Sequence, residues 1–359
     1  MADLRKGVLI MHMADALISP LTGGAVWAVT AGLISYCSKK VKDDLDDTKV
    51  PLMGVMGAFI FAAQMINFTI PATGSSGHLG GGLILAIILG PYAAFLTIAS
   101  VLTVQALFFA DGGLLALGCN IFNLGFFPCF IAYTFVYKKI AGNTPTQGRI
   151  VAGSLIAGIV GLQLGAFSVV LQTIFSGISE LPFTTFILMM LPIHLAIGIV
   201  EGLATAAVVV FVFKARPEIL RSASQSDPIG NIPIKNIIIG FLALAVITGG
   251  GLSWFASSHP DGLEWSMAKT SGLEELESPA NRIHNTLSGV QETTAFLPDY
   301  GFKKPASEKT GEALAATENH ASWPAVNAGT SVSGIVGGTL TLVLAVVIGF
   351  VLRRRNQGV

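Results

Sequence analysis

Long apolar runs dominate the chain, and short segments between them hold nearly all of its charge. The runs fall near residues 15–37, 51–69, 79–110, 115–137, 150–176, 183–213, 236–255 and 333–352. A membrane core is crossed by a helix of about 20 apolar residues, so every run but the third predicts one spanning helix. The third is too long for one comfortable crossing. Gly90-Pro91 sits in its middle, where proline removes a backbone donor and breaks a helix. Loop charge decides how often it crosses, because lysine and arginine in short loops favour the cytoplasmic side. They cluster at Lys39-Lys40-Lys42, Lys138-Lys139, Lys214-Arg216-Arg221 and Arg353-Arg354-Arg355. With two crossings in 79–110 and a start outside, all four clusters share the cytoplasmic face; with one crossing, the two later loops flip outward. The pattern predicts nine spans.

Composition narrows the class. The 359 residues are 52% hydrophobic and only 12% charged, with no net charge and a mean hydropathy of +0.70. An ordinary soluble domain, in which about a quarter of residues are charged, is excluded, and no basic footprint for nucleic acid is present. Cys37, Cys119 and Cys129 lie inside or at the edge of apolar runs and read as small buried hydrophobes. The composition shifts near residue 214. Residues 215–235 read as a polar linker rich in turn formers, followed by one span, a polar stretch at 256–331 and a last span. By the same topology that stretch is extracytoplasmic; with few large apolar residues it has little core of its own and is held by its neighbours. This divides the chain into a large module, 11–214, and a small one, 236–359. Residues 1–10 read as a leader or a misassigned start: Arg5 and Lys6 sit awkwardly outside, and the apolar part is too short for a secretory signal.

Several constellations could carry chemistry. Met11-His12-Met13-Ala14-Asp15 places a histidine second in a peptide, where a free amine, the intervening amide and an imidazole form a compact chelate suited to a square-planar ion such as Ni(II) or Cu(II). From the dipeptide alone, an interfacial histidine without a ligand is the plainer reading. Thr73-Gly74-Ser75-Ser76-Gly77-His78-Leu79-Gly80-Gly81-Gly82 lets the backbone fold tightly around one imidazole; turn punctuation at a membrane surface fits equally, and a phosphate cradle fails because no lysine follows. The nine-span topology puts His12 and His78 on one face of the membrane, able to share a ligand. Polar residues inside the apolar runs are costly unless paired or functional: Gln64, Asn67, Gln105, Asp111, Asn120 and Asn123. His194 and Glu201, seven residues apart, share a helix face and read as an interhelical hydrogen-bonding pair before a proton relay, their depth setting them apart from His12. Pro260-Asp261-Gly262-Leu263-Glu264-Trp265-Ser266 is a turn beside an interfacial tryptophan. His259, His284 and His320, scattered through the polar stretch, read as surface residues.

At these residues the chain resembles the substrate-capturing membrane components of the nickel and cobalt energy-coupling-factor transporters, the CbiM/NikM family. MHMADALISP, GSSGHLGGGLILAIILGP, VQALFFADGGLLALGCNIFN and HLAIGIVEGLATA carry the likeness. PDGLEWS, followed by LPDYGF at 297–302, is similar to the small CbiN/NikN partner, here fused to the large one as in the nickel branch. The resemblance implies an all-α polytopic membrane protein: a seven-helix S-component-like bundle plus a two-helix module with an extracytoplasmic loop. It implies Met11, His12 and His78 as metal ligands, supported by Asp15, Asn67, Ser75 and Ser76, with the terminal amine, a backbone nitrogen and two imidazoles around the ion. Family members expose that methionine as the true amino terminus, whereas ten residues precede Met11 here, which favours an internal start. The implied activity is not enzymatic: ATP-driven import of Ni(II), or of Co(II) for cobalamin synthesis, across the cell membrane, with the site facing outside. Its partners would be a CbiQ/NikQ-like coupling protein and CbiO/NikO-like ATPase subunits, in keeping with the missing Walker motif. The rivals are a proton-coupled secondary carrier and an intramembrane enzyme using His194 and Glu201.

Overall fold

In a computed structural model, the structure describes residues 12–273, 276, 278–303 and 323–357. Met11, residues 1–10 and His320 lie outside the described residues. The architecture is almost wholly helical. Among the described residues, six helices are long and apolar enough to cross a membrane: α1 (Pro20–Lys40), α4 (Pro91–Phe109), α5 (Leu117–Ala141), α6 (Gln147–Ser176), α7 (Phe183–Ala215) and α12 (Ala328–Gln357). Two shorter apolar helices, α2 (Lys49–Gln64) and α9 (Lys235–Gly250), have 16 residues each. The third predicted run does break at Gly90, whose φ of 82° no ordinary residue would adopt easily, and leaves α3 (Gly82–Leu89) in front of α4.

Local signals start the elements where the apolar pattern does. The hydroxyl of Ser19 accepts from Thr22 N ahead of α1, with Pro20 in the first turn, and Thr146 does the same for Arg149 N at α6. Through residues 122–137, α5 widens into π turns. Helix α2 is buried along nearly its whole length and is packed by α4, α9 and α12, so the two helices of the small module close around a helix of the large one.

The basic clusters gather at one end. There Lys138 Nζ donates to Ser224 O at 2.9 Å, Arg216 Nε donates to Pro233 O at 3.1 Å, and Arg353 pairs with Asp47. The first segment predicted for the outside lies at the other end. Between them, α3 has only eight residues, a rise of about 12 Å, so the chain leading into it descends well into the bundle without being helical.

Three expectations are corrected. Residues 68–70 are not the end of a span but a strand, β1 (Phe68–Ile70), paired antiparallel with β2 (Ser75–Gly77) in register Thr69 to Ser76; the glycines and hydroxyls of this loop suit a hairpin, which local apolarity concealed. The 215–235 linker contains a helix, α8 (Pro217–Gln225), which buries Ile219, Leu220 and Ala223 and packs against α3 and α7. His284 is not a surface residue: it is 3% exposed on α11 (Arg282–Thr294), and its Nε2 donates to the carbonyls of Asp15 and Ile18, both at 3.1 Å. With α10 (Gly262–Ser271), α11 belongs to the polar stretch between α9 and α12, seated on the large module. Cys37, Cys119 and Cys129 are free and buried, as expected.

Candidate functional site

His12 is held from behind by its neighbour's backbone. Asn120, on α5, accepts from Met13 N at 3.0 Å through Oδ1 and donates to Met13 O at 3.1 Å through Nδ2, while Gly113 N donates to the same carbonyl at 3.1 Å. The segment after it is fixed by Asp15, whose Oδ1 accepts from Ala116 N at 2.9 Å. His12 is thereby delivered into the bundle, 4% exposed.

His78 arrives on the glycine loop. The two oxygens of Glu201, on α7, accept from Gly80 N at 2.8 Å and Gly81 N at 3.0 Å. Gln64 Nε2 donates to Gly80 O, and Gln105 Nε2 donates to Gln64 Oε1, both at 2.9 Å. Gly81 has a φ of 77° and lies against Ile60, so a tight left-handed turn is needed where the loop enters α3. Gln64 and Gln105, two of the buried polar residues singled out within the apolar runs, thus build a scaffold for this loop, and Glu201 bonds to it rather than to His194.

The two imidazoles meet, their ring centroids 5.3 Å apart and tilted by 51°. His12 Nδ1 lies 3.0 Å from Asp111 Oδ1 without the alignment of a hydrogen bond, and neither ring nitrogen of His12 has a hydrogen-bond partner among the described residues. His78 Nδ1 donates to Leu79 O at 3.1 Å, which leaves Nε2 as the lone-pair nitrogen of the neutral ring; it is 4.0 Å from Asp261 Oδ2. Between them is a cavity of about 80 Å³ that His194, Met190, Asn123 and the Asp261–Leu263 turn also line. His194 Nδ1 donates to Met190 O at 2.8 Å, so this ring too keeps Nε2 for a ligand. Its separation from His12, expected from depth, does not hold: the amino-terminal segment and the glycine loop both descend to meet α7.

The small module supplies the roof. The carbonyl of Pro260 accepts from Ser76 N at 2.8 Å, that of His259 accepts from Ser76 Oγ at 2.8 Å, and Trp265 Nε1 donates to Thr73 O at 3.0 Å. Asp261 caps α10 by accepting from Glu264 N at 2.8 Å; burial, tempered by that bond and reinforced by the charge of Asp111, raises its carboxyl to about 7. Burial would also raise Asp111, but the ring of His12 and the hydroxyl of Tyr300 outweigh it and hold the carboxyl below its ordinary value. Of the four supporting residues expected, Asp15, Asn67, Ser75 and Ser76, none lines the cavity. Asp15 braces the His12 segment, Asn67 O accepts from Ser257 N at 2.7 Å, and the serines tie the roof to the hairpin.

Imidazole nitrogens in a largely apolar chamber suit a late first-row divalent ion, and the volume is far below the few hundred Å³ of an organic-ligand pocket. Among the described residues no group of three or more His, Cys, Asp and Glu side chains is gathered as a ready metal shell, so coordination there would need donors beyond side chains. Sequence reasoning missed His194, Tyr300 and the structural use of Asn120; the polar marks of His194 and Asn120 were visible, their directions were not.

Comparison with known proteins places the chain. Residues 12–219 match the family described as cobalt uptake substrate-specific transmembrane region, CbiM, and residues 235–354 match the PDGLE domain. A chain of Archaeoglobus fulgidus that carries the name of a fused nickel transport protein NikMN is 32% identical over 351 residues, covering 96% of this chain and 98% of that one. The fused nickel transport protein NikMN of Rhodobacter capsulatus is 30% identical over 76% of this chain and 78% of its own. A crystal structure of a transition metal transporter, 31% identical, covers 60% of this chain and 98% of its own with a TM-score of 0.51.

Proposed function

This chain belongs to the CbiM family of cobalt-uptake substrate-specific transmembrane regions and carries a PDGLE domain on the same polypeptide, and we propose that it captures Ni(II), or alternatively Co(II), as the membrane component of an ATP-driven importer. The observation that carries the reading is the meeting of the His12 and His78 rings, 5.3 Å apart, at one small chamber. The ion would be held by both imidazoles and by backbone nitrogen at the Met11–His12 end, with a free amine on Met11 if translation starts there. The site faces outside, in keeping with basic clusters at the opposite end, and the apolar runs are read as seven spans in the large module and two in the small one, in the cell membrane. Energy would come from a CbiQ/NikQ-like coupling protein and CbiO/NikO-like ATPase subunits on other chains. Selection would rest on geometry, since Cu(II) outcompetes nickel at nitrogen donors on affinity alone.

Metal analysis of purified protein tests the reading. The parent is expected to retain nickel or cobalt, and His12→Ala and His78→Ala to lose it; retention in both variants would overturn it. Uptake measured with and without the coupling and ATPase proteins distinguishes an ATP-driven importer from a proton-coupled carrier. The small module is proposed to load or stabilise the large one, which undiminished uptake after deletion of 236–359 would refute.

A further inference from the structure

Tyr300 belongs to the small module, yet it reaches the group that touches His12. Its ring is stacked on Phe109 at 5.2 Å and 17°, and Phe61 meets it edge-on at 6.2 Å. Its hydroxyl donates to Asp111 Oδ2 at 2.6 Å, while Oδ1 of the same carboxylate lies 3.0 Å from His12 Nδ1. All three residues are buried. They form a line that begins in one module and ends on a candidate ligand of the other.

The surroundings of the tyrosine point the same way. Its backbone has a φ of 57°, a conformation that bulky side chains rarely take, so neighbouring contacts must hold it there. On either side of Asp111 the small module grips the same stretch: Gln291 Nε2 donates to Ala106 O at 2.9 Å and Gly112 O at 2.7 Å, and Leu297 N donates to Phe108 O at 3.2 Å. Stacking places the ring, and the hydroxyl then leaves Asp111 one orientation. An ion chelated by His12 through its own amide nitrogen would use Nδ1, the ring nitrogen that closes a six-membered chelate. Nδ1 is the atom that Asp111 faces. The carboxylate sits close beside that nitrogen but off its hydrogen-bonding axis, so it restrains the ring while leaving the lone-pair direction open to an ion, and a ligand already oriented loses less freedom on binding.

Resting on the metal-capture reading above, we propose that Tyr300 is a positioning residue: acting through Asp111, it presets the His12 ring, so that the small module orients a ligand of the large one as well as roofing the cavity.

The test is equilibrium Ni(II) titration of the purified full chain. Tyr300→Phe keeps the stacked ring and removes only the hydroxyl. Its affinity is expected to fall about tenfold, the low end for an outer partner of a metal ligand, with a changed visible absorption of the bound ion and a melting temperature close to the parent's. If the effect runs through Asp111, adding Tyr300→Phe to Asp111→Asn produces no further loss. Parent-like affinity and spectrum in Tyr300→Phe, or losses that add in the double variant, overturn the proposal. Should Tyr300→Phe not accumulate, Asp111→Asn decides: a parent-like titration and spectrum leave the tyrosine nothing to act through, whereas weaker binding with an altered spectrum supports it. If the parent takes up no nickel, or His78→Ala binds it as the parent does, the capture reading itself has failed and this proposal falls with it.

Discussion

Replacing Glu201 by glutamine should loosen the loop that carries His78 while leaving helix packing intact, because the two side chains match in size. Each carboxylate oxygen now serves one backbone N–H, Gly80 at 2.8 Å and Gly81 at 3.0 Å. An amide offers a single oxygen, and its NH₂ group would face the remaining N–H donor to donor. One charge-assisted bond of about 1.5–3 kcal/mol is then lost, and the other drops to a neutral bond of about 1 kcal/mol. The combined cost is about 2–5 kcal/mol. Where ordering the loop and binding the ion are one event, each 1.4 kcal/mol is a factor of ten, so nickel affinity falls roughly 30- to 4,000-fold. Competitive titration of the detergent-purified full chain against a chelator of known affinity reads this directly, with thermal unfolding of the metal-free protein alongside. Unchanged affinity and an unchanged melt would refute the assignment of Glu201 as the anchor of the glycine loop. A selective loss of nickel binding would in turn account for a buried carboxylate on α7 without invoking intramembrane catalysis.

Further outcomes follow from other contacts. In Gly202→Ala the new Cβ would stand 2.6 Å from Leu155 Cα, so α6 and α7 must separate at a cost of about 1–3 kcal/mol; a lower melting temperature with little change in nickel stoichiometry is expected. Acid should weaken metal binding, since protons compete with the ion for the same nitrogens, by about tenfold per pH unit for each proton displaced; a titration series at falling pH checks the sign.

Much of the fold was legible because a bilayer makes one demand on every segment that crosses it, and the apolar runs answer it residue by residue. Gly90-Pro91 announced its own break, and the four basic clusters pointed to one end. What the pattern could not supply was direction. His194 sits in an apolar run whether its ring faces lipid, a neighbouring helix or a cavity, and only the descent of two non-helical segments decides among these. His284 and Tyr300 lie in a stretch whose composition suggests solvent, yet each is buried because a second, distant segment covers it. The pairing of His12 with His78 was foreseen from topology and from family likeness together; the part played by Asp111 depends on contacts between residues 189 positions apart.

A staple at the far end of the molecule bears on why the modules share one chain. Asp46 accepts from Thr48 N at 2.9 Å at the start of α2 and from Gly230 N in the connector at 2.6 Å, and Thr48 Oγ1 returns a bond to Gly230 O at 2.7 Å. With α9 and α12 already wrapped around α2, a protease nick in the exposed turn near residues 225–228 is expected to leave both fragments migrating together on size exclusion. Covalent continuity would then serve assembly, sparing the two halves a search for each other in the plane of the lipid, and separately translated halves would lose speed of pairing more than strength.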